Sequence, residues 1–355
     1  MSISSLKKSG NSLQFKIANK GDYPVALING LRRVILVNLE TCCFNREDIT
    51  FRKNTSIYNE DFLTQRLSLI PLNSKKFAKL DLEKIEAYLF ANNTTELVEP
   101  KPYYAKDIKI YQGDTDVPLE ERTLLNTSDY ITHPDILLCK IKPEQEMECF
   151  MKVRKGTHKE DGSMYCPVSK CTYFFEPDEK AFLQEFNKLD DAQKKEMAAL
   201  LKEQIYQKRP DGSPAMYNFH LESDGILPVQ DVFAMGCDYL INLLKSKMEE
   251  LKNLEVSSMV KVETSPTNMK AYDFVFEISD DTLGNLLQTY ALQDKDIHYI
   301  GYHVPHPLDR RLYVRMSLTN SNAGLPAYVK KMSENMQAII KVIDGLKKAY
   351  LNALK

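Results

Sequence analysis

The chain has 355 residues, 43% of them apolar and 27% charged, with a formal net charge of −2. That composition is ordinary for a folded globular protein of roughly two or three domains. The near-neutral balance excludes a protein built chiefly to grip phosphates. No stretch approaches the roughly 18 consecutive apolar residues of a membrane helix. Met1 to Lys8 lacks the apolar core of a signal peptide, and seven scattered cysteines point to reduced thiols inside a cell.

In chain order, Leu13, Phe15 and Ile17 alternate as an opening strand over 11–19. Asp22 is placed to cap a helix with Pro24 near its first position. Leu27, Leu31, Val34 and Ile35 then share one face. Gly30 within that helix costs roughly 1 kcal/mol of propensity against Ala, and the close approach of another helix would compensate. Residues 47–57 read as a strand. Asn59 caps a short helix from Glu60 to Leu69, which Pro71 stops. Residues 73–150 carry short strand-like runs, Asp107–Tyr111 and Ile136–Cys139 among them, and read as part of an inserted β-rich domain.

Lys155 to Ser163 reads as a polar loop and Cys171 to Phe175 as a returning strand. Glu176 to Gln207 is charged and helix-prone until Arg209–Pro214 breaks it. Tyr217 to Glu222 is a strand, and Pro228 opens a long helix. Val256 to Asn268 reads as a linker. Tyr272 to Ile278, Ile297 to Tyr302 and Leu312 to Leu318 are strands, the last two joined through Pro305-His306-Pro307. Pro326 starts a final helix with apolar residues at 329, 332, 336, 339, 343, 346, 350 and 353, the 3,4 spacing of a seam for another helix or of an ordinary buried face.

One pattern occurs twice. Ala26–Leu36 carries Asn29-Gly30 inside a helical apolar stripe, and Thr282–Leu292 carries Gly284-Asn285 inside another. Two related modules in one chain can pack as a pseudo-symmetric dimer. Leu27 and Leu31 on the first helix, with Leu283, Leu286 and Leu287 on the second, are the expected internal interface. Ile339, Ile343 and Leu346 of the last helix, together with the helix at 228–251, are expected to complete it.

Two motifs in order, Leu27-Ile28-Asn29-Gly30-Leu31-Arg32-Arg33-Val34 and Asp61-Phe62-Leu63-Thr64-Gln65-Arg66-Leu67-Ser68-Leu69-Ile70-Pro71-Leu72, with Asn54-Thr55-Ser56 between them, resemble the third-largest subunit of eukaryotic RNA polymerase II. That family is related to the D-type component of archaeal polymerases and to bacterial alpha. Glu222–Pro228 resembles the turn before its last dimerisation helix. Asp281–Leu287 and Gly301–Leu308 resemble the eleventh subunit, which is similar to the L-type component of archaeal polymerases. The two families form a heterodimer in cellular enzymes. Here they are joined, as in large DNA viruses that encode a multisubunit RNA polymerase, and covalent joining raises the effective concentration of the partners.

The resemblance implies an α+β fold. An alpha-like dimerisation domain would comprise 1–44 and 176–255, a β-rich insert 45–175, and an eleventh-subunit-like α/β domain 256–355, forming an intramolecular pseudo-dimer. It implies a noncatalytic assembly platform that holds the two largest polymerase subunits, with small tenth- and twelfth-subunit-like partners if present. No direct sequence-specific nucleic-acid contact and no membrane contact are expected. The location would be intracellular: virion and host cytoplasm if viral, nucleus if cellular. A free-standing adaptor that retains the dimer fold is the alternative.

Arg32 and Arg33 point roughly 100° apart on their helix, so at least one leaves the core. Residue spacing alone favours a solvated face. The resemblance assigns both to the large-subunit interface, where a guanidinium suits carboxylate partners, and treats Arg66 similarly, in assembly rather than folding. No metal site, cofactor or catalytic residue is expected. Cys166 and Cys171 lack further paired ligands, and residues 73–138 contain no cysteine. His298, His303 and His306 lie about a proline turn. Asp114, Asp116, Asp280 and Asp281 sit in a turn and at a helix start, where acids complement the dipole without catalysis.

Overall fold

A computed structural model describes the chain apart from residues 1–2, 95–98, 115, 253–259, 265–269, 279, 307 and 321. The N-terminal strands β1 (Ile3–Ser9) and β2 (Ser12–Ala18) form an antiparallel hairpin. The composition of β1 concealed it, because only Ile3 of this edge strand is buried. Helix α1 (Val25–Val37) follows, with Pro24 at its N-cap and no side-chain cap. The expected cap Asp22 is therefore corrected: the Asn19 side chain instead accepts from the amides of Gly21 and Tyr23, and this turn leads into the helix.

Strands β3 (Glu40–Phe44) and β4 (Thr50–Asn54) then lead to helix α2 (Glu60–Ser68). Asn59 caps α2 by accepting from the Asp61 amide at 3.0 Å. After the short helix α3 (Ser74–Phe77) come β5 (Ile85–Asn92), β6 (Lys101–Tyr104), β7 (Lys109–Gln112) and β8 (Thr123–Leu125). A turn of helix, α4 (Thr127–Tyr130), precedes β9 (Leu137–Ile141) and the long β10 (Glu146–Thr157). Strand β10 pairs with β5 along one half and β3 along the other, and β4 also joins it. Its polar end, Lys155 to Thr157, was expected in a loop. Pairing with β3 gives those backbone groups partners, and the loop contracts around α5 (His158–Asp161).

The chain returns through β11 (Lys170–Phe175) and a helical hairpin of α6 (Glu179–Phe186) and α7 (Asp191–Gln204). The single helix-prone stretch is split because Asp190 and Gln193 form a capping box that starts a new helix. Strand β12 (Met216–Glu222) and helix α8 (Val229–Lys252) follow. The C-terminal part holds β13 (Val260–Thr264), β14 (Tyr272–Phe276), α9 (Asp281–Ala291), β15 (Ile297–His303), β16 (Leu312–Leu318) and α10 (Leu325–Ala353). The expected linker thus contains a strand, β13, paired with β14; the rest of Val256–Asn268 lies outside the described residues.

The sheets run β1-β2-β12-β11, β3-β10-β5-β7-β8 with β4 off that path, and β13-β14-β16-β15, with β6 and β9 as a separate pair. Two buried clusters result. One spans the first sheet, α1, α8, α9, α10 and the C-terminal sheet as a single core. The other lies within the insert. The division between them departs from the expected boundaries. Cys42 and Phe44 of β3 are buried in the insert cluster, while Val168 and Cys171 belong to the first. Strand pairing draws both edges: β3 bonds to β10, and β11 bonds to β12.

Candidate assembly surface

Helix α1 approaches α9 closely at Gly30. A Cβ added at Gly30 would lie 3.1 Å from Thr282 Cγ2, so the expected close approach at Gly30 is met by α9. The Tyr302 ring and Leu312 crowd Gly284 in the same way, and Ile35 closes on Gly236 of α8. Small residues let these backbones come together while Leu27, Leu31, Leu283, Leu286 and Leu287 fill the space around them. Ile339, Ile343 and Leu346 on α10 are equally excluded from water, so all eight expected interface positions share one core.

Polar contacts stitch the same junction. Asn335 Nδ2 donates to the Leu287 carbonyl at 3.0 Å. Tyr290 Oη on α9 donates to the Asp22 carbonyl just before α1, at 2.7 Å. Lys347 of α10 donates to both carboxylate oxygens of Asp238 on α8, at 2.6 and 2.7 Å. The buried stripe of α10 begins at Tyr328 where the 3,4 spacing placed Val329, which is only partly buried. A straight helix at 3.6 residues per turn drifts away from a 3.5 repeat over this length.

Asp280 joins three parts of the molecule. Its side chain caps α9 by accepting from the Thr282 amide at 2.8 Å. Lys159 of α5, in the connection out of the insert, donates to Oδ2 at 3.1 Å, and Arg33 of α1 approaches Oδ1 at 4.0 Å. The residue is only 5% exposed. Burial works to raise its pKa, but hydrogen bonds at Thr282 and the charge and hydrogen bond of Lys159 outweigh it and hold the carboxyl below the usual range. A capping role was readable from the position of Asp280. Its meeting with Lys159, far away in sequence, had no local signal.

The three arginines do not form one cluster of free cations. Arg32 Nε donates to Asn29 Oδ1 at 3.0 Å on its own helix. The side chain of Arg33, 44% exposed, leans toward Asp280. On α2, Arg66 Nε donates to the Leu138 carbonyl at 3.2 Å and its Nη2 to the Leu137 carbonyl. Arg66 therefore ties α2 to β9, a structural task that the expectation of assembly rather than folding omitted.

The chemical alternatives find little geometry. Asp114 is exposed and paired with Lys84 at 2.7 Å. His303 stacks on Tyr313 with ring centroids 5.1 Å apart. Among the described residues no group of three or more His, Cys, Asp and Glu side chains is arranged around a metal position. Burial pushes the Cys42 thiol up to about 11 and those of Cys43, Cys149 and Cys171 up to about 12, which disfavours the nucleophilic thiolate.

Residues 271–349 match the RNA polymerase Rpb3/Rpb11 dimerisation domain. The chain is similar to DNA-directed RNA polymerase II subunit RPB3 of Schizosaccharomyces pombe, 23% identical across 74% of this chain and 90% of that protein. It is 29% identical to DNA-directed RNA polymerases IV and V subunit 3B of Arabidopsis thaliana, over 48% of this chain and 56% of that one. A conjugation stage-specific protein of Tetrahymena thermophila is 27% identical over 68% of this chain and 79% of its own length. These similarities support an RNA polymerase subunit 3/11-type protein of mixed helix and strand.

Proposed function

We propose that the chain is the noncatalytic assembly platform of a multisubunit DNA-directed RNA polymerase, with third- and eleventh-subunit-like modules joined in one polypeptide. The observation that carries this reading is the single core shared by α1, α8, α9 and α10, in a chain whose C-terminal part matches the Rpb3/Rpb11 dimerisation domain. The two modules form an intramolecular pseudo-dimer, so the heterodimer of cellular enzymes needs no second chain. Covalent joining also fixes their ratio at one to one.

The platform brings the two largest subunits together, and the catalytic acids and nucleic-acid contacts belong to those subunits. Arg32, Arg33 and the α2 region around Arg66 are the surfaces assigned to them. Tenth- and twelfth-subunit-like proteins are further partners where the source encodes them. The compartment follows the polymerase: virion and host cytoplasm for a viral enzyme, nucleus for a cellular one.

A second reading is an adaptor that keeps the dimer fold outside the polymerase. Affinity purification of the tagged chain from its native host separates the two. Recovery of both large polymerase subunits supports the platform; complexes that lack them support the adaptor.

A further inference from the structure

The insert sheet has one covered face and one open face. Met147, Cys149 and Met151 of β10, with Ala87 and Leu89 of β5, are buried in the insert cluster. The residues between them point the other way. On that side stand Phe90 of β5, 43% exposed, and Leu124 of β8, 57% exposed. Tyr88, Phe150 and Tyr111 are half-buried on the same face. Register makes the group continuous: Phe150 lies opposite Tyr88, Glu86 opposite Tyr111, and Tyr111 opposite Leu124. Phe90 follows two residues after Tyr88. Scattered apolar residues on a surface need no explanation, but a contiguous group marks an interaction site.

The rings are held in place. Those of Tyr88 and Phe150 lie 4.8 Å apart, and Tyr88 Oη donates to Glu148 Oε1 at 3.2 Å. The Arg52 guanidinium carbon of β4 lies 4.3 Å from the Phe150 ring centre. A planar guanidinium is itself a stacking surface.

The charge on this face is basic and stands outermost. Its strands carry Arg52, Lys53, Lys109, Lys152 and Arg154 against Glu86, Glu146 and Glu148. Arg122 and Asp48, from adjoining turns, pair with Glu86 and Arg154. With these two, six cations meet four carboxylates, although the whole chain carries −2. Arg52 is 69% exposed against 26% for its partner Glu148, and Arg154 53% against 17% for Asp48. The Arg122–Glu86 pair is the sunken exception. Lys109 and Lys152 are exposed and form no ion pair among the described residues.

We propose that this open face binds single-stranded nucleic acid without sequence preference. Phe90, the Arg52–Phe150 pair and Tyr111 stack about two or three bases, and Lys109 and Lys152 meet the phosphates. Unpaired bases of every kind offer a flat π-face, which a duplex hides. An acidic peptide suits the same charge but anchors its apolar side chains in pockets. The cavities at α3 and α8, on the first sheet, between α8 and α10 and beside α10 all lie off this face. The contact lies outside the active centre, whose nucleic acid the platform reading leaves to the large subunits. It goes beyond that reading and stands or falls separately from it.

The test uses the purified full chain and fluorescence anisotropy with labelled oligo(U) and oligo(dT) strands of about 12 nucleotides. Binding at low salt, weakening steeply as salt rises, is expected. Binding of either strand supports the proposal, and the tighter one tells a transcript from a DNA strand. Phe90→Ala should weaken binding by about tenfold. Lys109→Ala/Lys152→Ala should weaken it and flatten its salt dependence. Both variants should melt like the wild type. If Phe90→Ala melts early, Phe90→Leu, which keeps an apolar side chain but lacks the flat ring, takes its place with the same loss expected. A 4-thiouridine cross-link should map to β5, β7 or β10. No binding by the wild type at low salt, or wild-type affinity in the aromatic and lysine variants, overturns the proposal. So does a duplex of the same length that binds as tightly. Displacement by oligoglutamate as effective as by unlabelled strand also overturns it, and would assign the face to an acidic peptide.

Discussion

The ring of Tyr350, near the end of the last helix, lies 4.8 Å from that of Phe233 at the start of α8. Phe15 of the N-terminal sheet closes the group at 5.0 Å from Phe233 and 5.3 Å from Tyr350. The Tyr350 hydroxyl donates to the Gln230 carbonyl at 2.8 Å. A residue from the C-terminal part of the chain thus completes the aromatic core of the N-terminal part, so the two should not unfold independently. Tyr350→Ala should cost about 3–5 kcal/mol as a large cavity, and Tyr350→Phe about 1 kcal/mol as a lost hydrogen bond. Urea unfolding followed by probes in each part checks this: one shared transition, shifted in both, is expected. Separate transitions would contradict the single core.

Gly30 tests the crossing of α1 and α9. Alanine there would regain roughly 1 kcal/mol of helix propensity, but its Cβ would sit 3.1 Å from Thr282 Cγ2. The two effects oppose, and Gly30→Ala should leave stability nearly unchanged. Gly30→Leu has no such room and should lose about 1–3 kcal/mol through overpacking. If leucine were tolerated like alanine, the helices would not be packed at this point.

Asp280 gives the molecule an acid-sensitive joint. Its folded carboxyl titrates below its ordinary value of 3.8. A depressed folded pKa contributes stability that is complete above the unfolded value and is lost as pH falls through the folded one. Asp280→Asn should therefore destabilise the chain at neutral pH and flatten the part of the stability profile lying below about pH 4. Thermal melts of both proteins between neutral and acid pH measure the difference. Parallel profiles would remove Asp280 from the account.

Much of this architecture is readable from local pattern. Alternation marks β2 and β12, the 3,4 spacing marks α10, and Gly30 foretells a close neighbour because a glycine inside an apolar helix stripe needs a packing reason. The edge strands were less visible. Strand β1 buries one residue, and β3 carries no assignment from the sequence, because it is its pairing with β10 that defines it. Pairing between strands distant in sequence, β3 with β10 and β11 with β12, sets the insert boundaries, and local composition carries no record of it. The same limit applies at the candidate surface. Arg66 reads as an exposed cation, and only the fold brings the Leu137 and Leu138 carbonyls to it.

Those two bonds make Arg66→Ala a stability variant. It should lower the stability of the insert by about 1 kcal/mol, the net worth of an ordinary hydrogen bond. Lysine, which lacks the planar fork, should restore little of it. Hydrogen exchange read at the α2 and β9 amides is the check. Faster exchange confined to these elements is expected, and unchanged exchange would place the arginine outside the fold.

In the proposed platform one polypeptide takes the place of a third- and eleventh-subunit-like heterodimer. The most direct measurement is the stoichiometry of the complex purified through this chain from its native host, by native mass spectrometry. One copy of the chain with one copy of each large polymerase subunit, and no separate eleventh-subunit-like chain, is the predicted composition. Two copies of the chain, a separate eleventh-subunit-like partner seated on it, or a complex without the large subunits would contradict it.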